Sequence, residues 1–388
     1  MNILFAKFLN SYTDRDILFF LRNAGHKCDE LFYESTGDMY HNDGLYDAIE
    51  KKIKTNSYDF VYSTNYHPVI SKACYKNNIK YIAWVYDSPP NLQKLDTLDY
   101  PTNYIFWFCK YDYLNYKNMG FETVYHLPLA VNYDRLKAIR PDVKRYGSEV
   151  SFVGKIYNST LPTLKANLPK ELQNYLDAVV AVQMEKNGSQ VVEAAITDDF
   201  LKQVNEHYAT LSEKPLTVNR RQMYFSICEH LTHIDRMALL RLSSKTHETT
   251  LYTQDLSEID KKLLKESNVI VKGPVNYIDE MPQVFKASKI NLNPTLRANR
   301  GGVSLRCLDI IGCGGFLLSN YQEELDEYFG NCGIVMFENL EDALNKIDYY
   351  LHHDEERNTI SSSCLEVVRQ EFNYPKQLNT IFTLSGII

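Results

Sequence analysis

Hydrophobic residues in the first third of the chain fall into short continuous runs. Residues 2–8, 28–33, 58–63, 80–86, 104–108 and 124–127 are apolar, β-branched or aromatic. Runs of this length, bounded by polar turns, predict strands covered on both faces. Helical patterns separate them. One begins near Asp14, read as its cap, and stops at Gly25; another spans 68–77; a third spans 112–119 and closes at Gly120. Strands alternating with helices predict a parallel sheet.

Residues 132–147 are polar, contain Pro141 and Gly147, and read as a linker. A new strand at 149–153 ends at Gly154, and the same rhythm returns at 249–252, 269–271, 289–292, 315–318 and 334–337. Residues 160–245 lack strand signals and carry helical periodicity, so they predict a helical insertion. The fold class predicted is α/β: two doubly wound, Rossmann-like domains, 1–140 and 148–388, facing a cleft, with the insertion in the second. A chain of 388 residues exceeds what one core usually serves.

Composition narrows the partners. Hydrophobic residues are 44% and charged residues 23%, with a net charge of -7. An acidic chain argues against nucleic acid as the main partner, because phosphate backbones need basic surface. No run of 18 apolar residues exists, which excludes a transmembrane helix, and MNILFAKFL lacks the basic start of a signal peptide. The eight cysteines are scattered without a CxxC pair. Reduced thiols and a cytoplasmic location are expected.

The segment 293–319, NPTLRANRGGVSLRCLDIIGCGGFLLS, carries the strongest chemistry. A strand ends at Asn293, a loop holding Gly301 and Gly302 follows, and Val303 is read as starting a helix. The free backbone N–H groups of Gly302, Val303, Ser304 and Leu305, with the helix dipole, suit a diphosphate. Arg297, Arg300 and Arg306 gather at the same loop and can fork onto phosphate. Asp309 lies in the second turn, where a carboxylate can accept both ribose hydroxyls. The plainer alternative is an ordinary turn with solvated arginines. Gly154 allows close backbone approach, and Lys155 beside it can reach a diphosphate or stand as a surface lysine.

Polar groups also cluster at strand ends in the first domain: Asn65, Tyr66 and His67; Asp87 and Ser88; Lys110 and Asp112; His126. Glu229, His230, His233 and Asp235 look like metal ligands, but their spacing is wrong for an HExxH-type zinc helix, so no metal site is expected.

D-x4-G-G-F-L-L-S, from Asp309, resembles the E-x4-G-x-P-V-V signature of GT-B glycosyltransferases. SLRCLDIIGCGGFLLS, followed by YFG, IVMFENLEDALNKIDYYLHHDEER and FNY, is similar to the spore-maturation (CgeB-type) glycosyltransferases, as are WVYDSPP, HLPLAVN and SEVSFVGK earlier. The resemblance touches nearly the whole chain in order. It implies transfer of a sugar from a nucleoside-diphosphate sugar, UDP-linked by family preference, to a hydroxyl of a carbohydrate, glycoconjugate or protein acceptor. It implies neither metal nor cofactor, since helix N–H groups and basic side chains stabilise the leaving diphosphate. Asp309 is then the ribose ligand. Gly273, Pro274, Val275, Asn276 and Tyr277, which follow a strand and with Tyr277 read as opening a helix, meet the nucleobase, with Tyr252 on the same edge. An inverting transferase needs a base; Asp87 is the first candidate, with capping of the Ser88-Pro89 turn as its plainer reading, and His67 and His126 follow. One departure is Gly301, where retaining members often carry a first Glu, eight positions before the ribose acid. A nucleotide-sugar 2-epimerase and a non-catalytic nucleotide-sugar-binding protein remain alternatives on the same fold.

Overall fold

A computed structural model describes residues 1–8, 11–34, 38–90, 92–185 and 191–388. Twelve strands form two six-stranded sheets. The first contains β1 (Asn2–Phe8), β2 (Lys27–Tyr33), β3 (Phe60–Thr64), β4 (Lys80–Val85), β5 (Asn103–Trp107) and β6 (Val124–His126), in the order β2-β1-β3-β4-β5-β6. The second contains β7 (Ser148–Val153), β8 (Thr249–Tyr252), β9 (Ile270–Lys272), β10 (Ser288–Asn293), β11 (Leu317–Asn320) and β12 (Val335–Phe337), in the order β12-β11-β10-β7-β8-β9. Every pairing is parallel. The central apolar runs are strands buried on both faces: Ile3, Leu4 and Phe5 are fully buried, as are Trp84 and Tyr81, whereas the edge strands β2 and β9 contain no buried residue.

The chain divides into two compact units, and the division is not a single cut. The first comprises Met1–Arg135, Gly301–Leu308 and Glu366–Ile388; the second comprises Leu136–Arg300 and Asp309–Leu365. The first unit's core packs the inner residues of β1, β3, β4 and β5 against helices Asp43–Thr55 and Pro68–Lys76. Asn42 caps the former by accepting from Leu45 N. Gly25 and Gly120, at φ 81° and 96°, follow helices Asp14–Asn23 and Lys110–Asn118, as a helix stop requires.

The second unit has two cores, one against its sheet and one inside the insertion. The insertion contains helices Leu161–Ala166, Lys170–Met184, Val191–Ala195, Asp198–Ala209 and Arg220–Ser243; its residues 186–190 lie outside the described residues. The long helix starts from a capping box in which Asn219 and Gln222 exchange side-chain and backbone hydrogen bonds.

Three local expectations change. Asp14 does not cap: it is the first helical residue, and its buried carboxylate accepts from Ser11 Oγ at 2.5 Å and Thr64 Oγ1 at 2.6 Å. Tyr277 sits in a turn, because Glu280 ties back to Asn276 and the helix begins only at Met281. The helix expected from Val303 begins at Leu305.

Candidate functional site

In open parallel sheets, ligands collect beyond the carboxyl ends of the strands where the winding direction reverses. In the second sheet that point lies between β7 and β10. Gly154 and Lys155 follow β7, and Asn293 ends β10. Lys155 is exposed, whereas Asn293 is buried and donates from Nδ2 to Thr295 Oγ1 at 3.1 Å.

Arg236, on the long insertion helix, ties these two loops together. Its Nε and one terminal nitrogen donate to Pro294 O at 3.0 and 2.6 Å, and the other donates to Lys155 O at 2.5 Å. The guanidinium lies 5.0 Å from the Phe152 ring and 5.1 Å from the Tyr157 ring. Planar stacking and forked donation suit arginine and not lysine. The same helix holds the following loop: Thr232 Oγ1 accepts from Arg297 N at 2.9 Å, and Asp235 accepts from Arg297 Nε at 2.6 Å and from a terminal nitrogen at 3.1 Å. Sequence reading missed Arg236. Its partners are 58 and 81 residues away, and no local pattern marks them.

The arginines read as a phosphate clamp are placed differently from one another. Arg297 forms the ion pair with Asp235, and Arg300 pairs with Glu193 and lies 5.6 Å from the Tyr224 ring. Both are half-buried and paired with carboxylates of the insertion, which neutralises the charge that a clamp would present. Arg306 is half-buried, in the first turn of helix Leu305–Gly312. Gly302 has φ 82°, and a Cβ there would lie 2.5 and 2.7 Å from the Phe108 ring and 3.0 Å from Cys109 Cα. Glycine is required at this position for conformation and close approach. Val303 is buried; Ser304 and Leu305 are half-buried.

Asp309 is buried and accepts from Tyr277 Oη at 3.0 Å. The loop bearing Tyr277 is held at its base. Glu280 accepts from Asn276 N at 3.0 Å, Tyr146 Oη at 2.8 Å and Arg145 at 3.0 Å, which lowers its pKa. Gly273, Pro274 and Asn276 are exposed, and Val275 is half-buried. Tyr252 is buried, which raises its hydroxyl pKa to about 12, and its Oη accepts from Lys272 Nζ at 3.3 Å. Asp309 and Tyr277 are thus brought together, 32 residues apart in sequence.

In the first unit, Asp87 follows β4 and is open to solvent on one side. Surrounding protein raises its carboxyl pKa, and a hydrogen bond from Asn65 Nδ2 at 2.8 Å opposes that. Among the described residues no turn N–H bonds this carboxylate; Ser88 Oγ donates instead to Asp112 Oδ2 at 2.6 Å. His67 stacks on Phe8 at 4.1 Å between ring centres, and burial lowers its pKa to about 4. Although half-buried as a residue, its ring is enclosed by protein, which keeps it neutral near pH 7. His126 ends β6, half-buried, 6.0 Å from the Tyr113 ring.

The suspected metal ligands go to different partners: His233 Nδ1 contacts Tyr157 O at 2.9 Å, and Asp235 holds Arg297. Among the described residues, no group of three His, Cys, Asp or Glu is placed to hold a metal ion. No described helix is long and apolar enough to cross a membrane.

Residues 245–383 match the family described as glycosyl transferase-like. No curated protein matches the chain in sequence. Solved structures similar to it include a glycosyltransferase from Rickettsia africae, with TM-score 0.62 and 10% identity, covering 99% of this chain and 97% of that one. Anabaena Alr3699/HepE in complex with UDP and glucose is similar at TM-score 0.57 and 12% identity, with 100% of both chains covered. Sucrose-phosphate synthase from Thermosynechococcus elongatus is similar at TM-score 0.57 and 10% identity, covering 99% and 98%. The fold is that of the GT-B glycosyltransferases.

Proposed function

We propose that this protein transfers a sugar from a nucleoside-diphosphate sugar, most simply a UDP-sugar, to an acceptor hydroxyl, acting in the cytoplasm as a CgeB-type enzyme. The observation that carries this reading is the Asp309–Tyr277 pair in the region of the chain that matches the glycosyl transferase-like family. A buried carboxylate already engaged by one hydroxyl is oriented to accept the ribose hydroxyls. The loop 273–276, exposed at Gly273, Pro274 and Asn276 and anchored by the Asn276 N–H on Glu280, offers its remaining backbone N–H and C=O groups to a base edge. Anabaena HepE, of the same fold, has been crystallised with UDP, which supports UDP as the first donor to test.

Donor-binding roles fall to Lys155, Asn293, Tyr277 and Asp309 in the second unit, with Arg300 in support, and, as a separate assignment, to the N–H groups of Gly302 to Leu305 and to Arg306 in the segment that clusters with the first unit. The first unit supplies the acceptor site, with Asp87 taking the hydroxyl proton as that oxygen attacks the sugar. Asp87 is preferred to His67, because the His67 ring is stacked on Phe8 and enclosed by protein, whereas Asp87 is open to solvent. Neither a cofactor nor a metal takes part in this reading.

The test is a thermal-shift screen of UDP, GDP, CMP, NAD and UDP-sugars. A ligand at 100 times its dissociation constant adds roughly 2.7 kcal/mol of stability. A shift with UDP that disappears in Asp309→Ala supports the reading; a shift with GDP, CMP or NAD alone rejects the base assignment. Incubation with donor alone separates the alternative activity, because a 2-epimerase would form the epimer without any acceptor.

A further inference from the structure

The first sheet reverses its winding between β1 and β3, so the carboxyl end of β3 lies at the position where open sheets place their sites. Asn65 stands there, immediately after β3, at φ 63°. This left-handed conformation is unusual for a residue with a side chain, and Asn is among the few that tolerate it. Four groups of this one residue are anchored. Its N–H donates to Trp84 O at 2.8 Å, and its carbonyl accepts from Ser63 Oγ at 2.7 Å. Its Oδ1 accepts from Tyr86 N at 2.8 Å, and its Nδ2 donates to Asp87 Oδ2 at 2.8 Å.

The Tyr86 bond determines which way the amide faces. A backbone N–H can only donate, so the atom facing it must be the oxygen. The nitrogen is thereby directed to Asp87. The side chain spans two consecutive residues beyond β4, one through its backbone and one through its carboxylate. The second carboxylate oxygen, Oδ1, accepts no hydrogen bond among the described residues.

We propose that Asn65 is the positioning residue for Asp87, fixing Oδ2 so that Oδ1 is presented to the acceptor hydroxyl. This rests on the reading of Asp87 as the base. The proton moves from the acceptor oxygen to Asp87 Oδ1 as the oxygen–sugar bond forms and the sugar–diphosphate bond breaks, the electron pair leaving on the diphosphate. Surrounding protein raises the Asp87 pKa and the Asn65 amide lowers it; no charged side chain contributes. Losing the amide therefore moves the acid limb of the rate profile to higher pH, since the base works only when deprotonated.

Asn65→Gly tests this, because glycine keeps the left-handed backbone and removes only the side chain. Two measurements are made on the full chain: UDP release from UDP-glucose against pH, and titration of the Asp87 carboxyl by ¹³C NMR, assigned by comparison with Asp87→Asn. The second needs no substrate. The expected results are kcat lowered roughly 10- to 100-fold, as for a misplaced catalytic group, an unchanged KM for UDP-glucose, and an Asp87 titration moved to higher pH. Asn65→Asp, which replaces the donor with a like charge, should move it further. Wild-type titration and rate in Asn65→Gly beside an inactive Asp87→Asn would overturn the role of Asn65 alone. A wild-type rate in Asp87→Asn would overturn the base assignment and Asn65 with it.

Discussion

Gly302→Ala should cost the first unit several kilocalories per mole, and the structure supplies the terms. At φ 82° an alanine occupies the left-handed region, at roughly 1–2 kcal/mol. Its Cβ would also stand 2.5 and 2.7 Å from the Phe108 ring and 3.0 Å from Cys109 Cα. Phe108 is buried and Cys109 contributes main chain, so neither yields freely. Overpacking of this kind adds about 1–3 kcal/mol. The sum is about 2–5 kcal/mol, or roughly 4–20 °C in Tm at about 2–4 °C per kcal/mol for a domain of this size. Gly273→Ala is the control. A Cβ there meets nothing within 4 Å, and the backbone is not left-handed. That change should leave stability the same or raise it by up to about 1 kcal/mol, through a less flexible unfolded chain. Differential scanning calorimetry of both variants without nucleotide checks the pair. Equal Tm values would refute the argument that Gly302 is required for close packing. A Gly302→Ala protein with normal Tm but weakened UDP binding would show instead that the glycine serves only the ligand.

Asp309→Ala should weaken UDP binding by roughly 1.5–3 kcal/mol, the usual worth of hydrogen bonds to a charged group; equal affinities by isothermal titration calorimetry would remove it from the site. EDTA should leave turnover intact, because the segment 293–319 holds Asp309 but no DxD-type carboxylate pair, and Asp235 and Glu193 are held by arginines; loss of activity restored by Mn²⁺ would contradict this. His67→Phe should flatten acid destabilisation. The folded histidine has a pKa of about 4 against an ordinary 6.5, so the unfolded chain alone takes up the proton between those values. Stability is therefore lost as pH falls from 6.5 towards 4, by about 1–3 kcal/mol, and phenylalanine has no proton to gain. Denaturant titrations at pH 7 and pH 4.5 compare the two; parallel losses in both proteins would reject the assignment.

The central strands were legible in the sequence because a strand buried on both faces leaves a local mark, a continuous apolar run between turns, and the edge strands β2 and β9 were read from their β-branched and aromatic residues although none of them is buried. The glycine stops at Gly25 and Gly120 were legible for the same reason: left-handed φ selects residue type locally. The identity of the loop around Gly302 and the placing of Asp309 in the second helical turn were also readable there. Only the tertiary structure decided what those residues touch. Tyr277 meets Asp309 across 32 residues, Arg300 meets Glu193 across 107, and Arg236 reaches two loops 58 and 81 residues away. The arginines that cluster in the sequence were thereby distributed, two of them into ion pairs with the insertion. Periodicity reports which face of an element is buried, not which distant element covers it. Partner choice therefore follows from sheet order and helix packing, and it was in that choice that Asp87 received Asn65 rather than the Ser88-Pro89 turn.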